Sequence, residues 1–98
     1  MTNINTDQIA AHFSNYADCD SLEDGFVSWC WDDREETLEA LLNGSTDSLA
    51  SDVAYSAEEG EKMQADYEGT QCTEAAAEEF IQHYKTELIE AITESLND

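Results

Sequence analysis

The chain has 98 residues, with 24 Asp and Glu against 3 Lys and Arg, and its formal net charge is −21. That balance excludes direct binding to nucleic acid, which needs Lys and Arg to displace counterions from a backbone carrying one charge per about 1.7 Å, and it excludes binding to an anionic membrane surface for the same reason. At this length there is room for one domain, residues 1–98, and a hydrophobic fraction of 41% with 2 Trp, 4 Tyr and 3 Phe supplies the material for a core.

In chain order, Met1-Thr2-Asn3-Ile4-Asn5 lacks the basic and apolar regions of a signal peptide. No apolar stretch approaches the roughly 18 residues of a membrane span, so a cytoplasmic protein is expected. Thr6 is placed to cap a first helix whose Ile9, Phe13 and Tyr16 share one face, ending near Ala17. Leu22 to Trp31 admits two readings: Leu22, Phe26 and Trp29 fit a helix, while Phe26 to Trp31 is aromatic and β-branched enough for a strand. Helix is preferred, because no second strand is visible to pair with it. Asp32 to Asn43 reads as helix with Leu38, Leu41 and Leu42 apolar and Gly44 as its C-terminal cap. From Asp47 to about Tyr67, Leu49, Val53, Ala57, Met63 and Tyr67 give a weaker pattern interrupted by Gly60, either one helix with a break or two short ones. Thr73 caps the last helix, where Ala77, Phe80, Ile81, Tyr84, Leu88, Ile92 and Leu96 recur at helical spacing. The expected fold is all-α, a small domain of four to five helices.

Little in this pattern points to catalysis. Adjacent acids such as Asp32-Asp33, Glu35-Glu36, Glu58-Glu59 and Glu78-Glu79 arise by chance at this composition, and neither His12 nor His83 has an evident triad around it. The three cysteines, Cys19, Cys30 and Cys72, match no metal or disulfide spacing and read as reduced thiols. Aligning Gly25 with the glycine of a calcium loop puts Leu22 and Trp31 at ligand positions, so that match fails. No enzyme activity, cofactor or dedicated metal site is expected.

The acids themselves are the candidate functional groups. They are spread over the whole chain rather than gathered in a tail, and on the last helix Glu79, Glu87, Glu90 and Glu94, with His83 between them, form one stripe clear of the apolar face. Solubility is served by a net charge of about 2–8 in a small domain, and more than that opposes folding by self-repulsion. A duplex bearing the same charge would be roughly 36 Å long, close to the dimension of a domain of this size. The predicted contact residues are Asp32, Asp33, Glu35, Glu36 and Glu39 in the central helix, Glu58, Glu59 and Glu61 around Gly60, and Glu79, Glu87, Glu90 and Glu94 on the last helix. Trp29, Trp31, Tyr55 and Tyr67 are candidate anchors, with core filling the simpler role for each.

In size, charge density and helical character the whole chain resembles the small acidic phage and mobile-element proteins that act as DNA mimics, including anti-restriction and anti-CRISPR inhibitors. The resemblance implies a stoichiometric inhibitor that fills the DNA-binding channel of a basic nucleic-acid-binding protein, such as a CRISPR complex, a restriction enzyme or another nuclease. It rests on no motif and carries over no individual residue. An antitoxin or immunity-type protein that neutralises one basic toxin enzyme fits the same composition. A homodimer is compatible with either role, since it would double the charged length.

Overall fold

The computed structural model describes residues 2–65 and 70–97. Two short strands, β1 (Thr2–Asn3) and β2 (Thr70–Gln71), pair in parallel, and five helices make up nearly all the rest: α1 (Thr6–Ser14), α2 (Leu22–Trp29), α3 (Arg34–Asn43), α4 (Asp47–Ala65) and α5 (Glu74–Asn97). Short 3₁₀ turns at Tyr16–Asp18 and Trp31–Asp33 precede α2 and α3. The fold is the expected small all-α domain, and the segment with two readings is helical through Trp29.

Local chemistry sets the helix ends. Asn5, rather than Thr6, caps α1: its side chain accepts from the Gln8 N–H and the Gln8 side chain accepts from the Asn5 N–H, each at 2.9 Å, a reciprocal pair that satisfies two otherwise unbonded donors. That helix stops at Ser14, short of the expected Ala17, because Ala17 and Asp18 turn the chain with φ of 54° and 59°. Ser21 caps α2 and Thr73 caps α5, whose Ala76 N–H donates to the Thr73 hydroxyl at 3.1 Å. Gly44, at φ 74°, ends α3 in the left-handed conformation that a glycine adopts without strain.

The core is organised around three fully buried phenylalanines drawn from distant parts of the chain. Phe13 on α1 lies 5.2 Å from Phe26 on α2 and 5.6 Å from Phe80 on α5, centroid to centroid, with Trp29 at 5.3 Å from both Phe13 and Phe26. Such ring pairs add about 0.5–1.5 kcal/mol each beyond the area they bury. Gly25 makes the arrangement feasible, because any side chain there would collide with the Phe13 carbonyl where α1 and α2 meet. α5 is the central element: α1, α2, α3 and α4 all pack on it, and Ala77, Phe80, Ile81, Leu88 and Ile92 line its buried face. The periodicity expected for that helix is therefore observed. α3 and α4, by contrast, each pack on α5 and touch one another only sparsely.

Two polar contacts fix α3 and α4 to α5. The buried Thr46 hydroxyl, just ahead of α4, donates to Glu78 Oε1 at 2.7 Å. Arg34 reaches the far end of α5, donating from one guanidinium nitrogen to both the carbonyl and the hydroxyl of Ser95 at 3.1 Å, while its Nε donates to the Trp31 carbonyl at 3.0 Å and its guanidinium lies 3.8 Å from the centre of the Trp31 ring. A cation at that position also meets the negative end of the α5 dipole. One of the chain's three basic residues is thus engaged internally by neutral acceptors rather than by the acids around it.

Candidate partner-binding surface

Every acidic side chain among the described residues is exposed or half-buried; the buried polar side chains there are Thr37 and Thr46. The core therefore consumes almost no carboxylate, and the charge is displayed on a body with principal extents of 41 × 27 × 20 Å and a radius of gyration of 12.8 Å. Spread over the long axis, the net charge amounts to about one unit per 2 Å, against about 1.7 Å per charge on a duplex.

The predicted contact residues fall into three groups. Glu79, Glu87, Glu90 and Glu94 are exposed on the outer face of α5, with His83 also exposed between them, and the helical rise spaces this stripe over about 22 Å. Glu35, Glu36 and Glu39 are exposed on α3, but Asp32 and Asp33 belong to the 3₁₀ turn before it and not to the central helix expected from Asp32 onward. Glu58 and Glu59 are half-buried near the end of α4, and the Glu61 side chain lies outside the described residues. α4 runs through Gly60 without the expected break. The reason is steric: a β-carbon at position 60 would come within 2.6 Å of the His12 ring, so the glycine lets α1 and α4 approach each other.

Among the candidate anchors, Trp31 is 54% exposed and Tyr55 67% exposed, so neither fills the core; Trp29 is half-buried against the phenylalanine cluster, and Tyr67 lies outside the described residues. Two tryptophans separated by one residue do point in different directions, as their spacing requires.

Where α3 and α4 diverge they leave an open trough. Its larger section, about 470 Å³, has Trp29, Cys30 and Leu49 in its lining, with Asp33 and Glu36 from the α3 side and Asp52 from the α4 side. A second section of about 410 Å³ shares Trp29 and Asp52 with the first and continues along α4 to Tyr55, Ser56 and Glu59, where the rest of its lining comes from His12 of α1 and from Tyr16 and not from α3. Asp52 and Tyr55 were not singled out together by sequence reasoning, yet Ser48, Asp52, Tyr55, Ser56 and Glu59 recur at spacings of one helical face. That pattern was the available signal; what could not be read was that α3 lies beside its first part and α1 beside its second.

The thiol in this lining is held toward its neutral form. Burial pushes the Cys30 thiol up from an ordinary 9.0 to about 11, against the lowering effect of the Thr37 hydroxyl and the Arg34 charge, and burial raises Cys72 similarly, reinforced by Glu58. His12 Nε2 and the Ser56 hydroxyl share a hydrogen bond at 2.9 Å. Ser56 sits inside α4, so this pair joins α1 and α4. Among the described residues no group of three or more His, Cys, Asp or Glu side chains is arranged to hold a metal ion, and no helix is long and apolar enough to cross a membrane. No family model matches the chain, and neither a curated protein nor a solved structure matches it.

Proposed function

We propose that this protein is a stoichiometric DNA-mimic inhibitor, which occupies the basic DNA-binding surface of a host defence or DNA-processing protein in the cytoplasm. The observation that carries this reading is the displayed charge: one net negative unit per about 2 Å of the long axis, close to the duplex value. Carboxylates at successive turns of α5 stand in for backbone phosphates, and the field of the whole molecule steers association with a cationic groove. CRISPR complexes, restriction enzymes and other nucleases present such grooves. No turnover is involved.

The exposed aromatic rings of Trp31 and Tyr55 favour a second reading, an immunity-type protein that neutralises one basic toxin enzyme through a shape-specific interface. The two separate on competition and salt. With a basic partner captured from bacterial lysate after nuclease treatment, a DNA mimic is displaced by competing duplex and loses about a hundredfold or more in affinity between roughly 50 and 500 mM salt. Binding that persists at high salt and ignores duplex overturns mimicry and supports the immunity reading.

A further inference from the structure

We propose that the trough along α4, at the junction of its α3 and α1 sections, is an arginine-binding notch, in which a guanidinium from the basic partner lies against Tyr55 and pairs with Asp52. This rests on the reading that the partner is cationic, and it specifies which side chain of that partner the surface selects.

The notch combines three features. Its lining is acidic, with Asp52 common to both sections, Asp33 and Glu36 in the α3 section and Glu59 in the α1 section. The apolar part of its lining is Trp29, shared by both sections, with Leu49 in the α3 section and Tyr16 in the α1 section. Tyr55, one turn beyond Asp52 on the same face of α4, holds a large aromatic ring in solvent at 67% exposure.

Charge complementarity fixes the class of occupant. Phosphates and carboxylates are repelled, and so is a second copy of this chain, which carries the same −21. Among cations the geometry prefers arginine. Its guanidinium is flat and weakly hydrated, stacks on aromatic faces and meets a carboxylate with two parallel N–H donors, whereas a lysine ammonium is a strongly hydrated point charge that gains less from a ring and an apolar floor. The three-carbon stem of arginine would lie along Trp29 and Leu49. The protein already contains one arginine set over an aromatic ring, Arg34 over Trp31 at 3.8 Å, though its hydrogen bonds go to neutral acceptors.

The test uses two acetylated, amidated peptides of equal charge, in which glycine alternates with either four arginines or four lysines. Trp31→Phe keeps an aromatic ring beneath Arg34 and leaves Trp29, in the notch lining, as the fluorescent reporter. At moderate salt the arginine peptide is expected to bind about fivefold or more tightly than the lysine peptide and to change Trp29 emission. Asp52→Asn and Tyr55→Ala, both at exposed positions, should each erase most of that preference, and Tyr55→Leu, which keeps apolar bulk without the ring face, should erase it too. The control Glu87→Gln/Glu90→Gln/Glu94→Gln should weaken both peptides alike. Equal affinity for the two peptides, or notch variants that behave as the control does, overturns the proposal. Such a failure leaves duplex competition intact, whereas loss of duplex competition with arginine preference retained counts against mimicry and not against the notch.

Discussion

The outer face of α5 and the trough along α4 are both acidic, but they are built in opposite ways. The α5 stripe belongs to one uninterrupted helix of 24 residues whose other face is locked in the core, so the spacing of Glu79, Glu87, Glu90 and Glu94 follows from helical geometry alone. The trough runs along α4, which packs on α5 as α3 does while touching α3 only sparsely, and its carboxylates share the lining with Trp29 and Tyr55. Bare charge acts at long range and governs the rate of encounter; carboxylates beside aromatic and apolar surface act at contact and govern residence. A charged helix thus suffices for attraction, while discrimination requires tertiary structure.

The largest expected effect comes from removing the support beneath both faces. Phe80 projects from α5 into the ring cluster, and the trough lining reaches that cluster through Trp29 and Phe13. Phe80→Ala is expected to cost about 3–5 kcal/mol in urea unfolding, a large share of what a domain of this size has. Where the variant still folds, selection of arginine over lysine should suffer more than salt-dependent attraction, because the α5 spacing is local and the trough is not. An equal loss of both would mean that the two faces are not independent.

A smaller effect separates the faces by pH, since the trough alone has a thiol in its lining. Below pH 9 the Cys30 thiol is protonated in both folded and unfolded chains. Between its ordinary 9.0 and the value of about 11 to which burial pushes it, the unfolded chain loses the proton and the folded chain keeps it. The unfolded state then binds fewer protons, so stability falls as pH rises through this window, by up to about 2 kcal/mol for this group. In urea unfolding at pH 8 and pH 10.5, Cys30→Ala should lose less stability than the parent. An unchanged slope would show that the thiol is not held neutral by burial.

How much of this was legible in the sequence follows the range of the interactions. Gly44, Thr73 and the apolar positions of α5 act within a few residues, and all were readable. The α1 cap was misplaced by one residue because Asn5 and Gln8 cap reciprocally, which outweighs a lone Thr6. Gly60 looked like a helix break because its reason, the His12 ring, is distant in sequence. The pairing of Thr2–Asn3 with Thr70–Gln71 is too short to leave a periodic signal. For the candidate surface, the α5 stripe was legible in full, since exposure on a helix follows from phase. Trp31 and Tyr55 could not be told from core aromatics by sequence, and the meeting of Asp33 and Glu36 with Asp52 in one lining depends on how α3 and α4 pack on α5.

The subtlest expected effect is also the sharpest test of the contrast between the two faces. Glu87→Lys/Glu90→Lys/Glu94→Lys changes three exposed positions and no packed group. Neighbouring lysines on α5 repel as the glutamates did, so the gain does not come from within the stripe. It comes from attraction to the acids on the other elements and from placing cations near the C-terminal end of α5, and it should raise unfolding stability by a few tenths to about 1 kcal/mol. The same variant should associate more slowly with a basic partner while its preference for the arginine peptide over the lysine peptide stays as it was. A stability gain with slower association and unchanged selectivity assigns steering to α5 and discrimination to the trough; a loss of selectivity would make the acidic surface a single undivided field.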